Sequence, residues 1–247
     1  MISKWKYVWA PWAAINGLRA ALRGRLFEMG VWKSVEFEMP IIYVGTLAKD
    51  DTLEVSSYIC SLLGGVLHIH RYKLTSNEWT KVADAKTMYV TPLFTQESEV
   101  KACCTSHKVL GLSEWYQYEP ETVAVVMDDE FALNEIRPQL RVLVTSHHRP
   151  FYEDVLSPIG HLNEPKSAAS RADVVLVLGT PPLTDCHTME TEMRPYLKTD
   201  TPIFFINDLN PTSNSFNSKD KIEFIADRHN FERLILNILP NANPDSE

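Results

Sequence analysis

The 247-residue chain is 45% apolar and 23% charged, a globular balance with length for one large domain or two small ones. Its net charge of −8 is uneven: residues 1–35 hold six cations (Lys4, Lys6, Arg19, Arg23, Arg25, Lys33) against Glu28 alone, a head of +5 on a body of −13. The acidic body argues against an extended nucleic-acid surface, while the basic head suits an anionic partner, lipid or nucleic acid.

The N-terminus lacks the apolar core and small-residue cleavage site of a secretory signal. No run of 18 uncharged apolar residues is present, so no membrane-spanning helix is expected. Cys60, Cys103, Cys104 and Cys186 follow no metal or redox spacing, and reduced thiols in a cytoplasmic protein are expected.

In chain order, residues 2–30 read as a helix: Trp5, Trp9, Trp12, Ile15, Leu18, Leu22 and Leu26 recur at spacings of three and four. Pro11 ends a first turn or starts the main helix. Tryptophans interleaved with Lys and Arg fit an interfacial amphipathic helix, and equally a stripe packed on the domain. A strand at Pro40–Val44 leads through Gly45 into a loop and a helix from about Thr52 to Leu63. Strands are predicted at Val66–Tyr72 and Thr87–Val90, a helix at 96–110, and strands at Val123–Met127, Arg141–Thr145 and Ala172–Leu178. A helix at 187–197, a strand at Pro202–Ile206 and an amphipathic helix at Phe231–Leu239 close the pattern. Alternating strands and helices at this spacing predict an α/β fold with a mainly parallel sheet. The expected organisation is an amphipathic head over 1–35, an α/β core over 36–180, a smaller α/β part over 181–240 and a frayed tail over 241–247.

Two stretches carry the chemistry. Val123–Met127 is an apolar strand that delivers Asp128 and Asp129 to its C-terminal end, the arrangement with which phosphate-transfer proteins hold Mg²⁺. Capping of the next turn by the same two residues is the open alternative. The second stretch runs from Leu156 to Leu178 and contains Pro158, Gly160, Leu162, Glu164, Pro165, Arg171, Ala172 and Asp173. That block resembles the tetraacyldisaccharide 4'-kinase (lipid A 4'-kinase) family, which writes Leu-Pro-x-Gly-x-Leu-Arg-Glu-Pro and then a short helix ending Arg-Ala-Asp before a strand. The resemblance is order-preserving over roughly residues 10–235 and includes the approach 26–34 and Pro40–Gly45.

The resemblance implies a P-loop-NTPase-like fold, ATP and Mg²⁺ as cofactors, an acylated disaccharide (a lipid A precursor) as substrate and a place at the cytoplasmic face of the inner membrane. Nucleic acid is not among the implied partners. The family's phosphate loop, Gly-Asn-Leu-x-x-Gly-Gly-Thr-Gly-Lys-Thr, falls on Gly45–Val55. Gly45, Leu47 and Thr52 match; the paired glycines become Asp50 and Asp51, the third becomes Leu53 and the lysine becomes Glu54. Such a loop works by wrapping backbone N–H groups round the phosphates and neutralising them with lysine. Three carboxylates oppose that, with Lys49 the nearby cation.

The family's Asp-Asp-x-Phe-Gln-His becomes Asp128-Asp129-Glu130-Phe131-Ala132-Leu133. Its Ser-Arg-Gly-Tyr segment is echoed loosely by His70–Lys73, and its catalytic-base aspartate falls on Val90, which accepts no proton. Its C-terminal Asp-His-His-x-Phe reads Asp227-Arg228-His229-Asn230-Phe231, which leaves Asp227 and His229 as the catalytic candidates. The expected function is a divergent 4'-kinase-like protein, impaired in or lacking phosphoryl transfer and acting by binding or regulation. The alternatives are an active lipid 4'-kinase with an atypical loop, and a membrane-surface interaction protein led by the N-terminus.

His147-His148 reads as a loop pair rather than two ligands of one metal, since neighbours in extended chain point apart. His68 and His70 share a strand face without a third ligand, and Cys103-Cys104 reads as filler in a helix.

Overall fold

The computed structural model describes residues 10–48, 52–63, 66–70, 89–91, 101–104, 109, 112–113, 122–131, 135–181, 184–207, 209 and 220–238. Its elements are α1 (Ala10–Glu28), β1 (Ile41–Thr46), α2 (Leu53–Leu63), β2 (Leu67–His70), β3 (Tyr89–Thr91), β4 (Lys101–Cys104), β5 (Val125–Glu130) and β6 (Leu140–Ser146). A 3-10 helix (Lys166–Arg171), β7 (Val174–Leu178), α3 (Cys186–Met193), β8 (Ile203–Ile206) and α4 (Asp220–Leu236) follow.

The strands form one sheet in the order β3-β4-β2-β5-β1-β6-β7-β8. All neighbouring pairs are parallel except β3 with β4. Strands covered on both faces need apolar side chains at every position, and β1 is buried throughout. Ile42, Val44, Val126, Val142 and Leu176 face α2 and α4 through Val55, Ile59, Phe231 and Ile235. Ile41, Tyr43, Met127, Val175 and Val177 face the opposite layer, built from Phe151, Leu162, Ala168, Ala169 and α3's Met189 and Met193. The predicted α/β fold with a mainly parallel sheet is the observed one.

Three elements differ from expectation. The helix expected at 96–110 contains β4 at Lys101–Cys104, hydrogen-bonded to β2 and β3, so Cys103 and Cys104 sit on a strand. Pairing on two sides overrides a local helical pattern in so short a segment. The last helix begins at Asp220 rather than Phe231, which places Asp227, Arg228 and His229 inside it. β5 continues beyond Met127 to Glu130, so Asp128 and Asp129 belong to the strand.

Helix α1 starts beside Pro11 and ends at Glu28, and Gly30, with a φ of 70°, closes the turn that follows in the left-handed region that glycine adopts without strain. Trp5 and Trp9 lie outside the described residues. The buried side of the helix is made of small residues, Ala13, Gly17 and Gly24. A Cβ on Gly17 would stand 2.4 Å from Leu156 Cδ1, and one on Gly24 3.4 Å from an Arg171 Nη1. The large apolar side chains Trp12, Ile15, Leu18 and Leu22 point outward, Leu18 being 70% exposed.

Candidate functional site

Strand β1 ends at the segment that would carry a phosphate loop. Its neighbour β5 lies in register with Val44 opposite Asp128 and Gly45 opposite Asp129, so both acidic positions stand beside the start of that segment. Leu47 and Ala48 are buried, and the Ala48 N–H donates to Thr46 Oγ1 at 3.2 Å. Lys49, Asp50 and Asp51 lie outside the described residues. Thr52 is buried, and its carbonyl accepts the Ser56 N–H at 3.0 Å as α2 begins. Glu54 is exposed in the first turn of α2, where the helix presents its unpaired N–H groups. Among the described residues no group of three or more His, Cys, Asp or Glu side chains is placed to hold a metal ion.

The Leu156–Asp173 block closes on the end of β1. The Asn163 and Glu164 N–H groups both donate to Leu47 O, at 2.8 and 3.3 Å. Glu164 is buried, with Oε2 3.1 Å from Arg171 Nη2. Arg171 Nη2 also donates to Phe131 O at 3.0 Å, and its guanidinium lies 5.6 Å from the centre of the Phe131 ring. The Phe131 N–H donates in turn to Thr46 O at 2.9 Å. Thr46, Leu47, Phe131, Arg171 and Glu164 thus form one connected circuit around the C-terminal ends of β1 and β5.

Pro165 caps the 3-10 helix in extended conformation, and the Ser157-Pro158 bond is cis. At Gly160 a Cβ would sit 2.3 Å from both Asp154 Oδ1 and Val155 O, so the turn closes only round glycine. Asp154 holds that turn: Oδ1 accepts from the Val155 and His161 N–H groups, and Oδ2 lies 3.2 Å from His161 Nδ1. The Asp154–His161 clasp has no sequence signature, because its partners are ordinary surface residue types brought together by the turn.

Asp227 and His229 are held elsewhere. Asp227 Oδ2 accepts the Phe205 N–H of edge strand β8 at 3.0 Å. His229 Nδ1 lies 3.1 Å from Glu232 Oε2. Glu232 Oε1 also accepts from Arg228 Nε at 2.9 Å and from the Tyr58 hydroxyl of α2. Burial, reinforced by that bond to Glu232, pushes the Tyr58 pKa up to about 12. Burial raises the Glu232 pKa, but hydrogen bonds from Tyr58, Arg228 and His229 outweigh it and hold the carboxyl below its usual range. β8 lies three strands from β1, roughly 14 Å at about 4.8 Å per strand. The structure therefore gathers Gly45, Thr52, Asp128, Asp129, Glu164 and Arg171 at one sheet edge and ties Asp227 and His229 to β8 and α2.

His147 follows β6 at that sheet edge, its N–H donating to Leu178 O at 2.8 Å and its Nε2 lying 3.5 Å from Thr184 Oγ1. Burial and then the neighbouring His148 push its pKa down.

Comparison with known proteins gives a consistent family signal. A family model described as tetraacyldisaccharide-1-P 4'-kinase matches residues 91–229, more than half of the chain. The tetraacyldisaccharide 4'-kinase of Bacteroides fragilis is 29% identical over 193 residues, 73% of this chain and 50% of that protein. Its counterpart in Flavobacterium johnsoniae is 25% identical over 207 residues, 79% of this chain and 61% of that protein. The chain spans about half the length of the Bacteroides relatives it matches. Among solved structures, the "apo" form of LpxK from Aquifex aeolicus in complex with ATP superimposes with a TM-score of 0.60 at 18% identity, over 81% of this chain and 64% of that one. That likeness establishes a shared fold.

Proposed function

Because this chain belongs to the tetraacyldisaccharide-1-P 4'-kinase family, we propose that it is a divergent member, linked to lipid A biosynthesis, that is impaired in or lacks ATP-dependent phosphoryl transfer and acts by binding or regulation. The observation that carries this reading is Glu54, exposed in the first turn of α2 at the position where the family's loop has its lysine. Asp50 and Asp51 stand where that loop has paired glycines. A carboxylate at a lysine's place turns attraction for a polyphosphate into repulsion, and the loss of glycines removes close backbone approach. Val90 at the catalytic-base position, and the engagement of Asp227 and His229 with β8 and Glu232, support the same reading.

A second reading, an active lipid A disaccharide 4'-kinase with an atypical loop, is favoured by one observation: Asp128 and Asp129 keep their register beside Val44 and Gly45. In that reading they would hold Mg²⁺, which neutralises phosphate charge, and Lys49 would meet the phosphates.

The ligand proposed from the family is an acylated disaccharide, met at the cytoplasmic face of the inner membrane. Support for a peripheral position comes from α1, whose Trp12, Ile15, Leu18 and Leu22 face outward beside Arg19, Arg23 and Arg25. No helix among the described residues is long and apolar enough to cross a membrane.

Calorimetry with ATP–Mg²⁺ on the native chain and on Glu54→Lys tests the two readings. The divergent reading expects no heat from the native chain and a gain in Glu54→Lys. Clear micromolar binding by the native chain would replace it with the active-kinase reading.

A further inference from the structure

The chain leaves α1 through Met29-Gly30-Val31-Trp32, a turn of apolar residues round one glycine. Connections exposed to water are ordinarily rich in Asn, Asp, Ser and Pro. Here Met29 is 66%, Val31 63% and Trp32 47% exposed, and no side chain of the turn carries a charge. The turn follows directly on the helix whose Leu18 and Leu22 also face outward.

Its backbone is closed on itself. The N–H groups of Met29, Gly30, Val31 and Trp32 donate to Arg25 O, Phe27 O, Leu26 O and again Leu26 O, at 2.9, 3.0, 3.0 and 3.1 Å. A helix end ordinarily leaves its last four carbonyls without partners; in α1 those of Arg25, Leu26 and Phe27 are taken by these bonds. Entry into an apolar medium therefore strands none of the turn's N–H groups. A protein surface could supply partners to an open backbone, whereas acyl chains cannot, and it is the closed backbone that suits acyl chains. The Trp32 ring stands edge-on to Phe27, with ring centres 5.3 Å apart. Trp suits such a boundary, with an apolar body and one N–H to keep wet.

The turn is also held as a fixed projection with cations at its sides. On one side it continues α1. On the other the returning chain is pinned at Val35, whose N–H donates to Glu135 O and whose carbonyl accepts the Arg137 N–H. Arg25 and Lys33 are exposed on its two flanks. The acidic neighbours Glu135 and Glu36 face Arg23 and Arg137, at 3.2 and 3.9 Å. Cations beside an uncharged apolar tip complement an anionic bilayer, which has charged headgroups outside and acyl chains within.

We propose that the Met29–Trp32 turn is a membrane wedge, which enters the acyl region of an anionic leaflet while α1 lies along the surface. The wedge rests on the peripheral position proposed for α1 and adds which end of the helix goes deepest.

The test is tryptophan quenching in the full chain, bound to vesicles of phosphatidylglycerol and acyl-brominated phosphatidylcholine. Native emission is expected to be quenched. Trp32→Phe, which keeps a ring beside Phe27, is expected to lose a large part of that quenching while still sedimenting with the vesicles. Met29→Ser with Val31→Ser should weaken vesicle affinity by about 100-fold, since each large apolar side chain withheld from the acyl chains forfeits roughly tenfold or more. Thermal melting establishes that the double variant folds, and the Trp32 comparison decides the matter if it does not. Quenching that Trp32→Phe leaves unchanged in vesicle-bound protein would overturn the wedge and leave the peripheral position of α1 standing. A native chain that ignores the vesicles would remove both. A lipid-free dimer in analytical ultracentrifugation that the double variant abolishes would also overturn the wedge, giving the turn to a second copy of the chain.

Discussion

Arg171 joins three segments that are far apart in the chain. Its guanidinium meets the Glu164 carboxylate, the Phe131 carbonyl and the Phe131 ring, and both members of the ion pair are nearly sealed, their side chains 10% and 9% exposed. An exposed pair of this kind would contribute little, but a buried one is costly to break, because removing one partner strands the other. A lysine cannot reproduce the geometry, since one ammonium replaces a planar fork that serves carboxylate and carbonyl together. Arg171→Ala is expected to destabilise the protein by about 3–5 kcal/mol, lowering Tm by roughly 10 °C in a chain of this size. Calorimetric or urea unfolding of the variant beside the native chain measures this. A loss below about 1 kcal/mol would mean that the circuit through Leu47 and Phe131 stands without its arginine.

At the level of elements, α2 and α4 are fastened to each other by Tyr58 and Glu232 on the face of the sheet that also carries Val55, Ile59, Phe231 and Ile235. Because α2 begins directly after the loop segment, this fastening fixes where Thr52 and Glu54 stand. The titration of the pair gives it a signature. The folded Tyr58 pKa of about 12 lies above the ordinary tyrosine value of 10.0, so its contribution is complete below pH 10 and is lost as pH rises towards 12. The folded Glu232 pKa lies below 4.5, so its contribution is complete above pH 4.5 and is lost as pH falls through the lower folded value. Tyr58→Phe should cost about 1 kcal/mol at neutral pH and shrink the alkaline loss to the part carried by other raised tyrosines such as Tyr152, while leaving an acid loss carried by Arg228 and His229. Unfolding free energies measured from pH 4 to pH 11 would show it; an unchanged alkaline limb in the variant would sink the assignment.

The same elements show what a sequence can reveal. Continuous apolar runs such as Ile41–Val44 and Val174–Leu178 identify strands covered on both faces, and the resemblance of the 156–173 block located the piece that closes on β1. β4 was hidden because Lys101–Cys104 becomes a strand through its two partners, neither of them near in sequence. The start of α4 was hidden because the polar run Asp227–Asn230 separates its first apolar residues, Ile222, Phe224 and Ile225, from Phe231. The circuit of Leu47, Phe131, Glu164 and Arg171 needed the fold to assemble it, since two of its links are backbone carbonyls, which every residue carries.

For the whole molecule, the decisive asymmetry is the orientation of α1. A stripe of Trp12, Ile15, Leu18 and Leu22 is ordinarily the buried face of a helix, yet here the protein is met through Ala13, Gly17 and Gly24, with Leu156 filling the space beside Gly17. Small residues let α1 lie close on the block that also grips the end of β1, so one bracket links the outward apolar face to the candidate site. Arg19, Arg23, Arg25 and Lys33 add cations to that region, against an acidic remainder that an anionic membrane would repel. Each cation near an anionic surface contributes about 1 kcal/mol, and each large apolar side chain buried in the interface about 1.5–3 kcal/mol. Co-sedimentation of the full chain with vesicles containing phosphatidylglycerol is therefore expected, weakening as salt shortens the reach of the cations. Leu18→Glu with Leu22→Glu removes two outward side chains that support nothing inside the fold, so Tm should hold within a few degrees. Vesicle affinity should fall by more than about 100-fold, since several kcal/mol of burial is replaced by two charges of the wrong sign. A double variant that still sediments like the native chain would show that the outward stripe serves some purpose other than a lipid surface.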